Sequence, residues 1–337
     1  MQIEGTVLRG REFEPIEGRV VVEDGEITAV EETETDSSSI VVPAFVNAHT
    51  HIGDSIAKEA GAGLDLDELV APPDGLKHRI LRRSSYEAKV EAMRRSLRMM
   101  EAGGTAGFLE FREGGVEGVE MIRAALAGRD IEGVVLGRET VAAMEAADGF
   151  GASGARDADF AAERNATRRA GKLFGIHAGE RDPDDINPAL DLDPDFLVHM
   201  VHPEPIHYER VADSAIPIVV CPRSNLVTNV GVPPMREWVD RTTVALGTDN
   251  VMLNSPSMFR EMEFACKLGD VTAREVLRMA TVNGAEIAGL DCGLIEEGRP
   301  GKLLVLDGDT DNLSGARDVV RAVVRRAGMN DVERVIL

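Results

Sequence analysis

The stretch Val42–Ser55, VPAFVNAHTHIGDS, ends an apolar run with two histidines one residue apart. In a strand, side chains alternate between faces, so His49 and His51 point the same way and can grip one ion from the end of a buried strand. Two imidazoles do not complete a zinc shell, so further donors must come from elsewhere. Candidates recur in short strand-like segments: His177 in FGIHAGE, with Glu180 just behind it; His199 and His202 in LVHMVHPE; and Asp249 in LGTDNVMLNS. Singly, each has a plain structural use. His177 suits a hydrogen-bonded core position, His202 a hydrogen-bonded surface and Asp249 a helix N-cap. Jointly, the imidazoles of His49, His51 and His177 with the Asp249 carboxylate make a shell for a divalent cation with room for water.

Such a set must be gathered by elements that place strand ends together. After Pro43 the sequence alternates apolar strands with helical stretches: VPAFVNAH, GTAGFLEF before VEGVEMIRAALAG, IEGVVLG, KLFGIH, DFLVH before PIHYERVADS, IPIVVC, and TVALGTD before SPSMFREMEFACKLG. That order predicts a parallel sheet. Seven strands are clear, and the weak stretch ADGFGASG falls where an eighth is needed. Eight repeats in about 250 residues match a (β/α)₈ TIM-like barrel, whose sites gather at the C-terminal strand ends. A doubly wound open sheet competes, but it does not bring those ends to one mouth. The flanking text, IEGTVLRG, EGRVVVEDG and EITAVEE at the start and GKLLVLDG and VERVIL at the end, alternates as half-exposed strands do. The expectation is an α/β chain with a barrel over 43–290 and a small β-sandwich domain built from 1–42 plus 291–337.

Composition narrows the function classes. With 337 residues, 43% of them hydrophobic, the chain can bury a sizeable core. Its formal net charge of -22 argues against nucleic acid or an acidic membrane surface as partner. No run approaches the roughly 18 apolar residues of a membrane span, and MQIEGTVLRGREFEP lacks the order of a secretion signal. Cys221, Cys266 and Cys292 are far apart and form no CxxC pattern. A cytoplasmic protein acting on a small molecule is expected, with homo-oligomers compatible. Lysine is confined to Lys58, Lys77, Lys89, Lys172, Lys267 and Lys302. Acidic chains that favour arginine in this way suit a high-salt habitat, where self-repulsion is screened.

In order and spacing, PAFVNAHTH, HAGE, LVHMVH, CPRSN, LGTDN and ATVNGAEIAGL followed by GLIEEGRPGKLLVLD resemble the amidohydrolase superfamily, over nearly the whole chain. Within it they are similar to the branch of cytosine, guanine and adenosylhomocysteine deaminases and triazine hydrolases. The resemblance implies the same barrel with a small β domain. It also implies that His49, His51, His177 and Asp249 bind one divalent ion, zinc or alternatively ferrous iron. Glu180, His199 and Asp249 are then the catalytic groups: Asp249 takes a proton from water activated by the ion, Glu180 protonates a ring nitrogen, and His199 steadies the attacking oxygen. Many members of the superfamily hold two metals through a carbamylated lysine at the end of the fourth strand, but AADGFGASGARD contains none. One metal is therefore expected, and with it a metal-dependent hydrolase: a deaminase releasing ammonia from a purine, pyrimidine, pterin or derivative. The alternatives are hydrolysis of a cyclic amide or another C–N or C–Cl bond on a ring, and a non-catalytic scaffold. Ammonia release separates the first two, and a scaffold would ordinarily have lost metal ligands that this chain keeps.

Substrate contacts are sought among polar groups just beyond strand ends. Arg112 in EFREGG, Arg138 in LGRET and Arg223 in CPRSN offer forks for carboxylate, phosphate or carbonyl oxygens. His202 lies near the same rim, and Asn225 is a candidate through the family's PxSN stretch. The connection over 52–85 is long for a barrel loop and is read as either a cover for the site or a surface excursion. A turn is expected in it at Pro72-Pro73-Asp74-Gly75. The chain's single tryptophan, Trp238, lies outside this loop, which departs from the aromatic loops of nucleoside deaminases.

Overall fold

Alternating apolar and charged residues near the N-terminus form antiparallel strands β1 (Gln2–Arg9), β2 (Glu14–Glu23) and β3 (Glu26–Glu32) in the computed structural model, which describes residues 1–70 and 74–337. Asp24 and Gly25 join β2 to β3 with φ of 50° and 84°, as the tightest hairpins require. Strand β4 (Ser39–Pro43) pairs parallel to β1 and leads through Ala44 into the first barrel strand.

The barrel strands follow in chain order: β5 (Phe45–His51), β6 (Thr105–Arg112), β7 (Glu132–Gly137), β8 (Gly149–Gly154), β9 (Leu173–Ala178), β10 (Phe196–His199), β11 (Ile218–Val220), β12 (Val244–Leu246) and β13 (Asp249–Asn250). Neighbours pair in parallel from β5 round to β12, and β13 pairs with β5 through Asp249↔Thr50 and Asn250↔His51. Segments β12 and β13 are two pieces of one chain trace, so the sheet closes with eight strand positions. The seam is made by side chains and by one missing side chain. Asn47 Nδ2 donates to Thr248 Oγ1 at 2.7 Å, and Thr248 N donates to Asn47 Oδ1 at 2.9 Å. At Gly247 a Cβ would lie 2.6 Å from the Cβ of His49, so only glycine lets the eighth strand close on the first. Strand β5 is buried at every position, as a strand inside a parallel barrel must be.

The weak fourth strand is present as β8. Its glycines are steric: a Cβ at Gly151 would stand 2.5 Å from the Phe111 ring, and one at Gly149 2.3 Å from the Leu173 carbonyl oxygen. Lys172 stays outside the site, donating to the carbonyls of Met144 and Glu145 at 3.1 and 2.8 Å.

The chain ends return to the small sheet as β14 (Leu303–Asp307) and β15 (Val332–Ile336), giving one six-stranded sheet in the order β15-β14-β4-β1-β2-β3. The chain between them does not join it. Helix Val319–Arg325 packs instead on barrel helices Met258–Leu268 and Ala273–Met279, burying Val320 and Val323 in the main core. The expected block 291–337 is thus shared between the sheet and the barrel's outer layer. Of the expected turn in the long loop, Pro72 and Pro73 lie outside the described residues, while Asp74 and Gly75 precede helix Leu76–Arg83. Among the described residues, no helix is long and apolar enough to cross a membrane.

Candidate active site

Alternation along β5 sets His49 and His51 on one face, their ring centroids 4.9 Å apart. His177, at the end of β9, comes within 4.9 Å of the His49 ring, and His199 ends β10 5.3 Å from His177. Asp249 faces the pair on β5: its Oδ1 is 3.2 Å from His49 Nε2 and 3.6 Å from His51 Nε2. Two triples of ligand atoms, His49/His51/Asp249 and His49/His177/His199, each lie within 4.8 Å of one another. They share His49 rather than merging into one set of four.

A buried imidazole ordinarily has a partner for each nitrogen. His49 is fully buried, yet neither ring nitrogen has a well-formed hydrogen bond: Nδ1 faces no partner, and Nε2 has only the 3.2 Å approach of Asp249 Oδ1. The other rings are tethered on one side only. His177 Nδ1 donates to the Ala152 carbonyl at 2.7 Å, and His51 Nδ1 donates to Glu113 Oε1 at 3.1 Å, which leaves each Nε2 with a lone pair. Burial pulls the pKa of His49 and His177 down and takes His51 to about 3, so all three are neutral donors. Burial works to raise Asp249, but contact with His49 and the surrounding histidines holds it well below the usual carboxylate range. Neutral imidazoles, an ionised carboxylate and an orphaned central histidine fit a divalent cation.

The catalytic candidates flank this centre. Glu180 lines the cavity above it, with Oε2 3.7 Å from His199 Nε2, and burial pushes its pKa up. His199 is held from behind by Asn225, whose Nδ2 donates to His199 Nδ1 at 3.0 Å. The Ser224 hydroxyl donates to Asp249 Oδ2, which leaves Oδ1 for the histidines. His199 and Asp249 both hold left-handed backbones, φ 77° and 55°, a conformation found mainly where surrounding structure imposes it.

The substrate-binding expectations divide. Arg138 lines the cavity, donating through Nη1 to Glu113 Oε1 at 2.9 Å. Arg112 does not: it is buried, with Nε on the Glu113 carbonyl at 2.9 Å and Nη1 on Glu110 Oε1 at 3.2 Å. Arg223 is also turned inward, onto Ser255 O, Glu261 Oε2 and Asn254 Oδ1. Both guanidiniums are held by buried carboxylates, Arg112 by Glu110 and Arg223 by Glu261. Asn225 is fully buried and lies beneath His199. His202 lies outside the cavity lining, beside Gly231.

Sequence reasoning missed Glu113, Lys77, Asp54 and Ser224. Glu113 adjoins the arginine that drew attention in EFREGG, and Lys77 is a rare lysine in this chain. The 52–85 connection supplies Lys77 and His78 to the cavity wall, so it shapes the site.

The sequence profile of the amidohydrolase family matches residues 161–336. A Methanothermobacter thermautotrophicus protein, provisionally named an aminohydrolase, is 36% identical over 99% of this chain and 96% of its own. A 5-methylthioadenosine/S-adenosylhomocysteine deaminase of Halobacterium salinarum is 27% identical over 100% of this chain and 90% of its own. An adenosine deaminase of Xanthomonas campestris, crystallised with bound zinc, superposes with a TM-score of 0.85 at 20% identity, over 100% of this chain and 91% of that one.

Proposed function

The chain belongs to the amidohydrolase family, and from that membership we propose that it is a deaminase releasing ammonia from an aminated heterocycle of the purine, pyrimidine or pterin kind. His49, His51, His177 and Asp249 hold one divalent ion, zinc in our reading. The observation that carries this is the orphaned, fully buried His49 among donors already tethered by their far sides. A cation bound there supplies Lewis acidity and brings the pKa of a coordinated water towards about 7.

The chain's own groups do the rest. The Ser224 hydroxyl on Oδ2 fixes the Asp249 carboxylate with Oδ1 towards His49 and His51, and that carboxylate accepts a proton from the attacking water. Because Asn225 Nδ2–H donates to Nδ1 of His199, the ring's own hydrogen sits on Nε2. His199 therefore donates to the incoming oxygen and is not a metal ligand, which supports one ion rather than two. Burial keeps a proton on Glu180 to higher pH than an exposed glutamate would, and this proton goes to the ring nitrogen beside the reacting carbon. As the carbon gains oxygen, the proton held by Asp249 passes to the amino group, the C–N bond breaks and ammonia leaves; the hydrogen remaining on the new oxygen returns to Glu180, which gives the ring carbonyl and restores the acid. Arg138 anchors an oxygen-bearing substituent of the substrate. Cys221, Cys266 and Cys292 are all free thiols, consistent with a reducing cytoplasm.

The test is ammonia release from a panel of amino-purines, amino-pyrimidines and pterins, with zinc-loaded and chelator-treated protein side by side. Metal-dependent turnover of at least one member is expected. Turnover unaffected by chelation, or a ring product formed without ammonia, would overturn the reading.

A further inference from the structure

We propose that Lys77 is a positioning residue for the metal ligand His51, acting through Glu113. Lysine is rarely buried without a pairing reason, and Lys77 is 4% exposed. Helix Leu76–Arg83 carries it, anchored by Leu76 and Ile80 in a small apolar cluster with Leu69 and Met252. Its ammonium donates to Asp54 Oδ2 at 3.0 Å and to Glu113 Oε1 at 2.8 Å. That Glu113 oxygen is also the acceptor for His51 Nδ1.

The ligand atoms of His51, Asp54 and Glu113 lie within 4.8 Å of one another, a spacing that would suit a cation, and the Lys77 ammonium sits against two of them. Without it, Asp54 and Glu113 would be buried neighbours of like charge, each already with one oxygen that accepts no hydrogen bond. Glu113 would then turn towards its remaining cations, Arg138 on Oε1 and Arg112, whose Nη2 is 3.5 Å from Oε2. His51 Nδ1 would lose its acceptor, and the direction of Nε2 towards Asp249 would no longer be fixed. The long 52–85 connection thus reaches His51 through Lys77 and Glu113. This rests on the reading of His51 as a ligand.

The experiment uses the full chain and the metal alone. Zn²⁺ affinity is measured by chelator competition, and the visible spectrum is recorded for Co²⁺-loaded protein, in wild type, Lys77→Met, Glu113→Gln and His51→Ala. Lys77→Met is expected to weaken Zn²⁺ binding about 10–100-fold and to shift the Co²⁺ bands, with Glu113→Gln changing both in the same direction. Wild-type affinity and spectrum in folded Lys77→Met, with binding weakened in His51→Ala, would overturn the inference and leave the ligand reading standing. Unchanged affinity in His51→Ala would overturn both. If Lys77→Met does not fold, Glu113→Gln decides: wild-type behaviour there rejects the relay.

Discussion

Oε2 of Glu180 faces Nε2 of His199 across 3.7 Å, too far for a hydrogen bond between them, so each keeps a polar atom for a third group. Both border the cavity that His51, His177 and Asp249 also line. A heterocycle seated there would meet a proton donor at its ring nitrogen and another at the entering oxygen.

Replacing Glu180 with Gln is expected to lower kcat by about 10²–10⁴-fold while leaving metal content unchanged. The wild-type rate depends on the protonated acid, which exists below its pKa. With that pKa raised by burial, kcat should fall as pH rises through it, and the Glu180→Gln variant should lose this limb of the profile. A wild-type kcat in Glu180→Gln would remove Glu180 from the mechanism.

The Asn225 amide donating to His199 Nδ1 assigns the ring hydrogen to Nε2 in the mechanism proposed above. Asn225→Asp offers an acceptor in place of the amide donor, moving the hydrogen to Nδ1 and leaving a lone pair on Nε2. We expect kcat to drop at least about tenfold, in keeping with loss of one preorganised donor, together with tighter metal binding as His199 becomes a ligand. Equilibrium dialysis with zinc reads the second effect.

The arginines should separate by phenotype. Arg223→Ala strips Glu261 of its buried partner and is expected to destabilise the fold by roughly 3–5 kcal/mol. Arg138→Ala should chiefly raise KM, by about 10–100-fold if it loses a charged hydrogen bond to substrate worth about 1.5–3 kcal/mol. Denaturant melts and steady-state kinetics on both variants check this.

Metal removal should lower the melting temperature and abolish turnover, with both restored by zinc; free ion at about 100 times its Kd adds about 2.7 kcal/mol. Binding should persist as pH falls through the ordinary histidine range near about 6.5, because burial holds His51 at about 3 and pulls His49 and His177 down. The metal-free protein should lose stability over the same fall: between the folded and unfolded values, the unfolded chain binds protons that the native histidines refuse. Calorimetry from about pH 8 to about pH 5, with and without zinc, tests both signs.

The net charge of -22 leads us to expect a melting temperature that rises from low to molar salt as self-repulsion is screened. A flat response would end the salt-habitat idea.

The sequence by itself determined the repeating strands, the closing small sheet and the one-face placement of His49 and His51, because these follow from periodicity and from chemistry within a few residues. It under-signalled β8, where glycine is required by the neighbouring Phe111 ring and Leu173 backbone and so leaves no apolar pattern to read. Only the tertiary structure decided which polar residues face the cavity. Arg112 ends β6 and Arg223 and Asn225 follow β11 in a short helix, near the same rim as Arg138, yet Glu110, Glu261 and His199 hold them inside. Lys77 enters because its helix is packed against Met252, from the far end of the barrel sequence. Strand periodicity fixes which face a side chain takes, but its partner is chosen by charges that become neighbours only when the barrel closes.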